Sequence, residues 1–421
     1  MITGEGCATM SDPRTGELLF YTNGIQVWNR QHQVMPNGSG LLSDRSSSQA
    51  ALIVPFPGQP RRYYLFAVNS VSRLDQTTLP GLTYSIVNME LDGGLGDIEP
   101  QSKNSRLLVN TSEKLTAVPH ANGKDYWVIT HGYNNNEFYV FLLTETGVSG
   151  PETFPIGMEY GVAEDALTYD AAGYLKASPN GRRLACTTWA VTGLEPVELF
   201  DFDPATGIIS NQVSLGEIFT HYGVSFSPDN SKLYISGVYV TQFDLSLPTT
   251  QDIINSQIQI TPTPPPYTGS LVQSLQLGPD GRLYNNKDFN KFYVINFPNR
   301  AGMACDPMLV EFELKNEGTG IGLPNFMQHY FNGLEPIDAC SPESGITVFP
   351  NPTENSFKIQ VNSDCYQIEA VNIFNSIGQQ ITSLQTDEVT GEIDIATLAA
   401  GMYVLHIITN TKDIIKKVVK I

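Results

Sequence analysis

Six histidines are scattered through the chain: His32, His120, His131, His221, His329 and His406. His120 and His131 flank one expected hairpin, with Glu113, Lys114 and Asp125 close in sequence. Imidazole beside carboxylates can hold a metal or act as a general base. His120 is therefore the candidate for chemistry at a channel mouth, with the metal left unidentified. The competing reading is a histidine bonded to the backbone of its own loop. No nucleophile elbow, HExxH helix or phosphate loop occurs. The glycine run Gly318–Gly322 lacks the strand–helix–strand context of a dinucleotide site. Asp201, Asp203 and Gly207 lack the ligand spacing of a calcium loop and read as a hairpin turn. No resident cofactor is expected, and calcium only as an adventitious ion on an acidic surface. Ser46, Ser47, Ser48 and Gln49 precede an apolar strand. They either line a groove or mark a loop-to-strand transition. Trp28, Trp127 and Trp189 lie in strand-rich segments and are assigned to packing.

The elements that must position such residues are strands. Short runs rich in Tyr, Phe, Val and Ile are cut by Gly, Pro, Asn or Asp, and helical periodicity is almost absent. A turn followed by a strand recurs: SDPRTGELLFY from Ser11, HANGKDYWVI from His120, SPNGRRLACT from Ser178, SPDNSKLYIS from Ser227 and GPDGRLYNNK from Gly278. The turn anchors are Gly16, Gly58, Gly123, Gly181, Asn230 and Gly281, spaced 42, 65, 58, 49 and 51 residues apart. A period near 50 suits a four-stranded propeller blade. Six anchors, with one more strand expected in Gly320–Phe331, favour a seven-bladed propeller whose last blade is completed by strands upstream of Met1. Six blades is the alternative.

Leu334–Gly345 carries two prolines, three acidic residues and no strand pattern, so residues 334–345 read as a linker. The propeller then spans residues 1–333. A separate module, 346–421, alternates cleanly, with Phe357, Ile359 and Val361 against Lys358 and Gln360. That pattern predicts a small Ig-like β-sandwich. The whole chain is thus all-β.

Composition narrows the function. The chain has 421 residues and a formal net charge of −19. That charge argues against a nucleic-acid binder and against an anionic lipid surface. No apolar run reaches the roughly 18 residues of a membrane helix. Five cysteines, Cys7, Cys186, Cys305, Cys340 and Cys365, form no CxxC pair. Free buried thiols are the expected state, with one or two disulfides the alternative in a secreted protein. The first residues have neither a basic nor an apolar stretch, so no signal peptide is read there.

The module resembles the type A C-terminal sorting domain of the type IX secretion system of Bacteroidota. The likeness rests on Val348-Phe349-Pro350-Asn351-Pro352-Thr353, on Val371–Gly378, on Leu398-Ala399-Ala400-Gly401-Met402-Tyr403, and on the terminal Lys416-Lys417-Val418-Val419-Lys420-Ile421. Its motif residues here are Pro350, Asn351, Pro352, Gly378, Leu398, Gly401, Tyr403, Lys416, Lys417 and Lys420. The two prolines stop the first strand, and the two glycines suit tight turns. Residues 1–333 resemble a propeller region of the same bacteria, through Glu5–Thr9, Leu19–Arg30, His32–Asn37 and Gly322–Phe326. Relatives begin with a leader and about one further hairpin, so the resemblance implies that a signal peptide is missing from this chain.

The resemblance implies a secreted or outer-membrane surface protein that engages the type IX machinery through its last module. Its propeller is expected to act as a scaffold binding an extracellular glycan or protein. A propeller hydrolase or lyase with its site at the channel mouth is the alternative, and no catalytic residue is assigned.

Overall fold

A computed structural model describes residues 4–70, 81–161, 168–190, 194–219, 221–262, 273–288, 290–312, 320–335, 345–361, 366–385, 391–410 and 413–421. The chain divides into two compact units, Met1–Glu335 and Pro336–Ile421. Most of the expected linker, and most of the Pro-rich run Thr261–Pro266, lies outside the described residues.

Six antiparallel sheets of four strands follow one another in the first unit, each built strand by strand in chain order. The second also carries Ser105–Leu108 as an added strand. Their first strands are Ala8–Ser11, Ala51–Pro55, Thr111–Pro119, Leu175–Ala177, His221–Phe226 and Leu275–Leu277, here the inner strands of blades 1 to 6. All six turn anchors adopt left-handed backbone, with φ between 67° and 74°. Glycine takes that conformation freely, and Asn230 is the one anchor with a side chain that does so, as asparagine can.

Blades pack face to face through five apolar cores. One joins blades 1 and 2 through Phe20, Val27 and Ile53. The next joins blades 2 and 3 through Phe66, Val128 and Phe141. Blades 3 and 4 share Phe138, Leu184 and Phe200. Blades 4 and 5 share Leu199, Val224 and Phe243. Blades 5 and 6 share Tyr234, Leu277 and Ile295. Burial along the strands reflects this packing. Lys232–Gly237 of blade 5 is buried at every position, because both faces of its sheet are covered. Leu18–Thr22 of blade 1 alternates, with Phe20 and Thr22 buried and Tyr21 half-buried.

Among the described residues no sixth core joins blade 6 to blade 1. There the ring is closed by one segment. Ile321 N donates to Gly4 O, Asn325 N to Cys7 O, and Ser274 N of blade 6 to Ile321 O. Cys7 and Pro324 form a single parallel bridge. Gly322 lies so close to Glu5 that a Cβ there would sit 1.8 Å from the Glu5 carbonyl oxygen. The observed count is therefore six four-stranded sheets, the alternative of the two readings; the remaining sheet of this unit among the described residues is the two-stranded pair Thr168–Tyr169 with Trp189–Ala190. The strand expected in Gly320–Phe331 is replaced by that bridge and a 3-10 turn, Gln328–Phe331. Its partners are side chains and single bonds rather than a continuous neighbouring strand.

The second unit is a sandwich of two sheets. One holds Ile346–Phe349, Ser356–Val361 and Ile393–Asp394. The other holds, in spatial order, Gln380–Gln385, Ile368–Phe374, Gly401–Thr409 and Asp413–Lys420. Phe357, Ile359 and Ile393 from the first meet Val371, Leu405, Ile407 and Val418 from the second. Phe357 and Ile359 are buried while Lys358 and Gln360 face water, the alternation that a one-sided strand requires.

Candidate functional site

Two places in the molecule gather polar side chains into a defined arrangement. The first is the axis of the propeller, where the starts of the inner strands converge. Gln49, just ahead of the blade 2 strand, accepts from the backbone N–H groups of Leu115 at 3.0 Å and Leu175 at 2.8 Å. Its Nε2 donates to Leu175 O at 3.1 Å and to Asn325 Oδ1 at 3.3 Å. One carboxamide thus ties three blades. Asn325, from the closing segment, donates to Ala51 O and Leu115 O. Lys176 Nζ donates to Asn325 Oδ1 at 2.9 Å and to Gln276 Oε1 of blade 6 at 2.7 Å. Burial without a carboxylate beside it pushes the Lys176 ammonium down to about 7.

An acid pair lies at the same end. Glu113 Oε2 accepts from Ser48 N at 2.8 Å and from Ser48 Oγ at 2.7 Å. The same hydroxyl lies 3.5 Å from Glu5 Oε2. Ser46 Oγ and the Tyr222 hydroxyl also donate to Glu5. Burial, with Glu113 nearby, raises the Glu5 carboxyl to about 8. Next to this pair, Lys114 Nζ donates to the carbonyls of Asp170, Ala171 and Ala172. It also stands 4.4 Å from the Tyr160 ring centre. These side chains are bonded to one another and to the backbone of neighbouring blades.

His120 lies elsewhere. It follows the far end of Thr111–Pro119, roughly 20 Å along the strand from Lys114 at ~3.3 Å per residue. Its Nδ1 accepts from Asn122 N at 2.9 Å, and its ring stacks on Trp127 at 5.2 Å. His131 sits at the other end of the hairpin's second strand, buried between Phe138 and Tyr160, and burial pushes it down to about 3. The two histidines are not brought together. No group of three or more His, Cys, Asp or Glu side chains able to hold a metal occurs among the described residues. Asp203 caps its own turn through Ala205 N and Thr206 Oγ1. Trp127 is buried and donates to Pro204 O. Trp28 stacks on Tyr21, and Trp189 packs on the core between blades 4 and 5. Cys7, Cys186 and Cys305 are free and buried, while Cys340 and Cys365 lie outside the described residues.

The second place is where the two ends of the module meet. Pro350 and Pro352 have no N–H to offer a neighbouring strand. Between them the Asn351 side chain takes the part of a peptide group. Its Nδ2 donates to Lys417 O at 2.8 Å and its Oδ1 accepts from Val419 N at 2.9 Å. Thr353 continues the pairing in parallel, donating to Val419 O and accepting from Ile421 N. Lys420 is buried, and its Nζ donates to Glu354 O at 2.8 Å and Ala396 O at 3.2 Å. The terminal strand is thereby held across the sandwich. Tyr403 donates its hydroxyl to Ala399 O at 2.8 Å, and Leu398 packs on the module core. Gly378 turns at φ 80° beneath Asn375, whose Oδ1 accepts from Gln379 N. Gly401 opens its strand opposite Lys420. Lys417 is exposed and pairs across to Val404, while Lys416 is half-buried.

Sequence reasoning reached this second place through its motifs. It missed Gln49 as an axial clamp, and it missed Lys176, Asn325 and the acid pair. One signal existed. Lys176 and Gln276 each stand five residues before a turn anchor, as a polar residue between two apolar ones.

Residues 347–421 match the family described as "Secretion system C-terminal sorting domain". No curated protein matches the chain. Among solved structures, the chain is similar to the periplasmic gluconolactonase of Pseudomonas aeruginosa, at 12% identity and TM-score 0.45, covering 93% of this chain and 98% of that one. It is also similar to a protein from Lactobacillus plantarum, at 13% identity and TM-score 0.42, covering 92% and 98%. A gluconolactonase from Xanthomonas campestris is similar at 14% identity and TM-score 0.36, covering 68% and 82%. Likenesses at this level assign neither activity nor substrate. The last module is thus a type IX sorting domain, which makes this a secreted or cell-surface protein that engages the type IX machinery. No helix among the described residues is long and apolar enough to cross a membrane.

Proposed function

We propose that this protein, carried out of the cell by a type IX sorting domain, presents its propeller as a rigid scaffold for binding an extracellular glycan or protein. One observation carries the reading. The axis, where a propeller's inner strands would bring catalytic side chains together, is spanned by Gln49, Asn325, Lys176 and Gln276 bonded to one another. Side chains committed to tying blades 2, 3, 4 and 6 to the closing segment are not free to turn over a substrate. Recognition then falls to the blade loops, which a stiff ring can hold in fixed positions.

A hydrolase or lyase reading keeps one observation in its favour: the Glu5–Glu113 pair, with one carboxyl raised, resembles an acid–base couple. Glu113 is only 1% exposed and Glu5 8%, which counts against access. The test is a screen of the purified protein on arrays of cell-envelope glycans, host glycans and extracellular proteins. A parallel screen covers lactone, ester and glycoside substrates. Saturable binding that survives Glu113→Gln supports the scaffold. Turnover that Glu113→Gln abolishes, without any array ligand, would replace it with the enzyme.

A further inference from the structure

Apolar exposure is concentrated in the sorting module. Of the seventeen large hydrophobic side chains exposed among the described residues, seven lie after residue 345, in under a fifth of the sequence. Several of these share one face. In Asp413–Lys420, Ile414 and Val418 point into the core, so Ile415, Lys417 and Val419 point outward. Ile421 continues their register, bonded through its N–H to Thr353 O. Across the ladder Met402 lies opposite Val419, and Val404 opposite Lys417. Ile421 is 67% exposed, Ile415 58% and Met402 42%.

We infer that this outward face of the terminal strand pair is the surface by which the module docks on a protein of the export machinery. The inference rests on the sorting reading and names the surface that serves it. The partner's chemistry is set by the face: an apolar strip to cover Ile415, Val419, Ile421 and Met402, with a carboxylate opposite Lys417. The match of residues 347–421 to a secretion sorting domain favours a protein of the export machinery over a second copy. On this face Asp413 is already paired with His406 at 2.9 Å, which leaves Lys417 as the charge to be met. The clasp explains how the face is kept. Asn351, Thr353 and Lys420 fix the terminal strand from the edge and from the core side, leaving its outer side chains free. The surface is therefore composite. Residues 351–353 hold it, and residues 402–404 and 413–421 display it.

The test uses the natural gene product in a type IX-competent host. Ile415→Thr with Val419→Thr removes the apolar anchors but keeps β-branched residues suited to a strand. The expected result is about a tenfold fall in the extracellular or surface fraction, with protein retained in the periplasm and the module's melting temperature unchanged. Lys417→Glu, which leaves the apolar area in place, is expected to give a smaller fall. A variant lacking residues 346–421 runs alongside. If that deletion is retained while the double-threonine variant is exported in full at unchanged stability, this face is not the docking surface and the sorting reading stands. If the deletion itself is exported in full, the sorting reading fails with it. Self-association of the purified protein that the double variant abolishes, with export intact, would reassign the face to a second copy and overturn the proposal.

Discussion

At the propeller axis, Lys176, Glu5 and Glu113 are buried together with Gln49 and Asn325, and their hydrogen bonds run from blade to blade. In the sorting module the arrangement is reversed: Ile415, Ile421 and Met402 stand in water on one sheet face, while Lys420 is drawn inside. Both arrangements go against the ordinary partition of residues. Their causes differ. The axis spends polar groups on cohesion, because six sheet edges meet where no apolar side chain could satisfy their free N–H and C=O groups. The module leaves apolar groups uncovered where cohesion does not need them, which is the mark of a surface meant for another molecule. The ring is thus built to stay closed and the module to be read.

Breaking each half separately sharpens this contrast. The largest effect is expected from Phe357→Ala, which empties the module core and lowers that unit's stability by about 3–5 kcal/mol. Denaturation followed by a probe in the module should report it. Asn325→Ala removes one of the two acceptors of Lys176 and one of the two of Gln49, and is expected to cost the ring roughly 1–3 kcal/mol. A change within measurement error would mean that the axis is not what holds the blades.

Glu5 and Lys176 contribute to the pH dependence of the ring with opposite sign. Glu5 is raised from 4.5 to about 8, so the folded ring holds a proton that the unfolded chain has lost, and stability falls as pH rises across that window. Lys176 is lowered from 10.5 to about 7, so the unfolded chain holds the extra proton, and stability rises with pH from about 7 upward. His131, lowered from 6.5 to about 3, adds a contribution that rises with pH and opposes that of Glu5 below about 6.5. Glu5→Gln should remove the contribution that falls between about pH 4.5 and 8 and leave the rising ones, as thermal melts across pH will reveal.

Smaller effects belong to the clasp. Asn351→Ala loses both side-chain bonds to the terminal strand, an expected cost of about 1–2 kcal/mol. Asn351→Asp can still accept from Val419 N but cannot donate to Lys417 O, and should be no better than Ala if the donor half matters. Hydrogen exchange at Val419 measures this directly. Tyr403→Phe removes one bond to Ala399 O and should cost about 1 kcal/mol in the module's melt.

The legible part of the molecule was the part written in local chemistry. Gly16, Gly58, Gly123, Gly181, Asn230 and Gly281 announce turns because few residues accept left-handed backbone, and all six adopt it. The terminal module was legible through Pro350-Asn351-Pro352 and the closing lysines, although the role of Asn351 as a substitute peptide group needed coordinates. The axis was not legible. Gln49 and Asn325 are 276 residues apart and meet only when the ring closes. Lys176 reads as an ordinary strand residue, since nothing local says that both faces of its strand will be covered. His120 drew attention by residue type alone, and its place in the fold is a turn that its own Nδ1 caps by accepting from Asn122 N.

Localisation of the natural gene product, with and without residues 346–421, in a type IX-competent host tests the central claim most directly. The account predicts that the intact chain reaches the surface or the medium, while the chain lacking the module stays in the periplasm with its ring folded. Equal export of both forms would contradict it, and the exposed face of the terminal strands would then need another purpose.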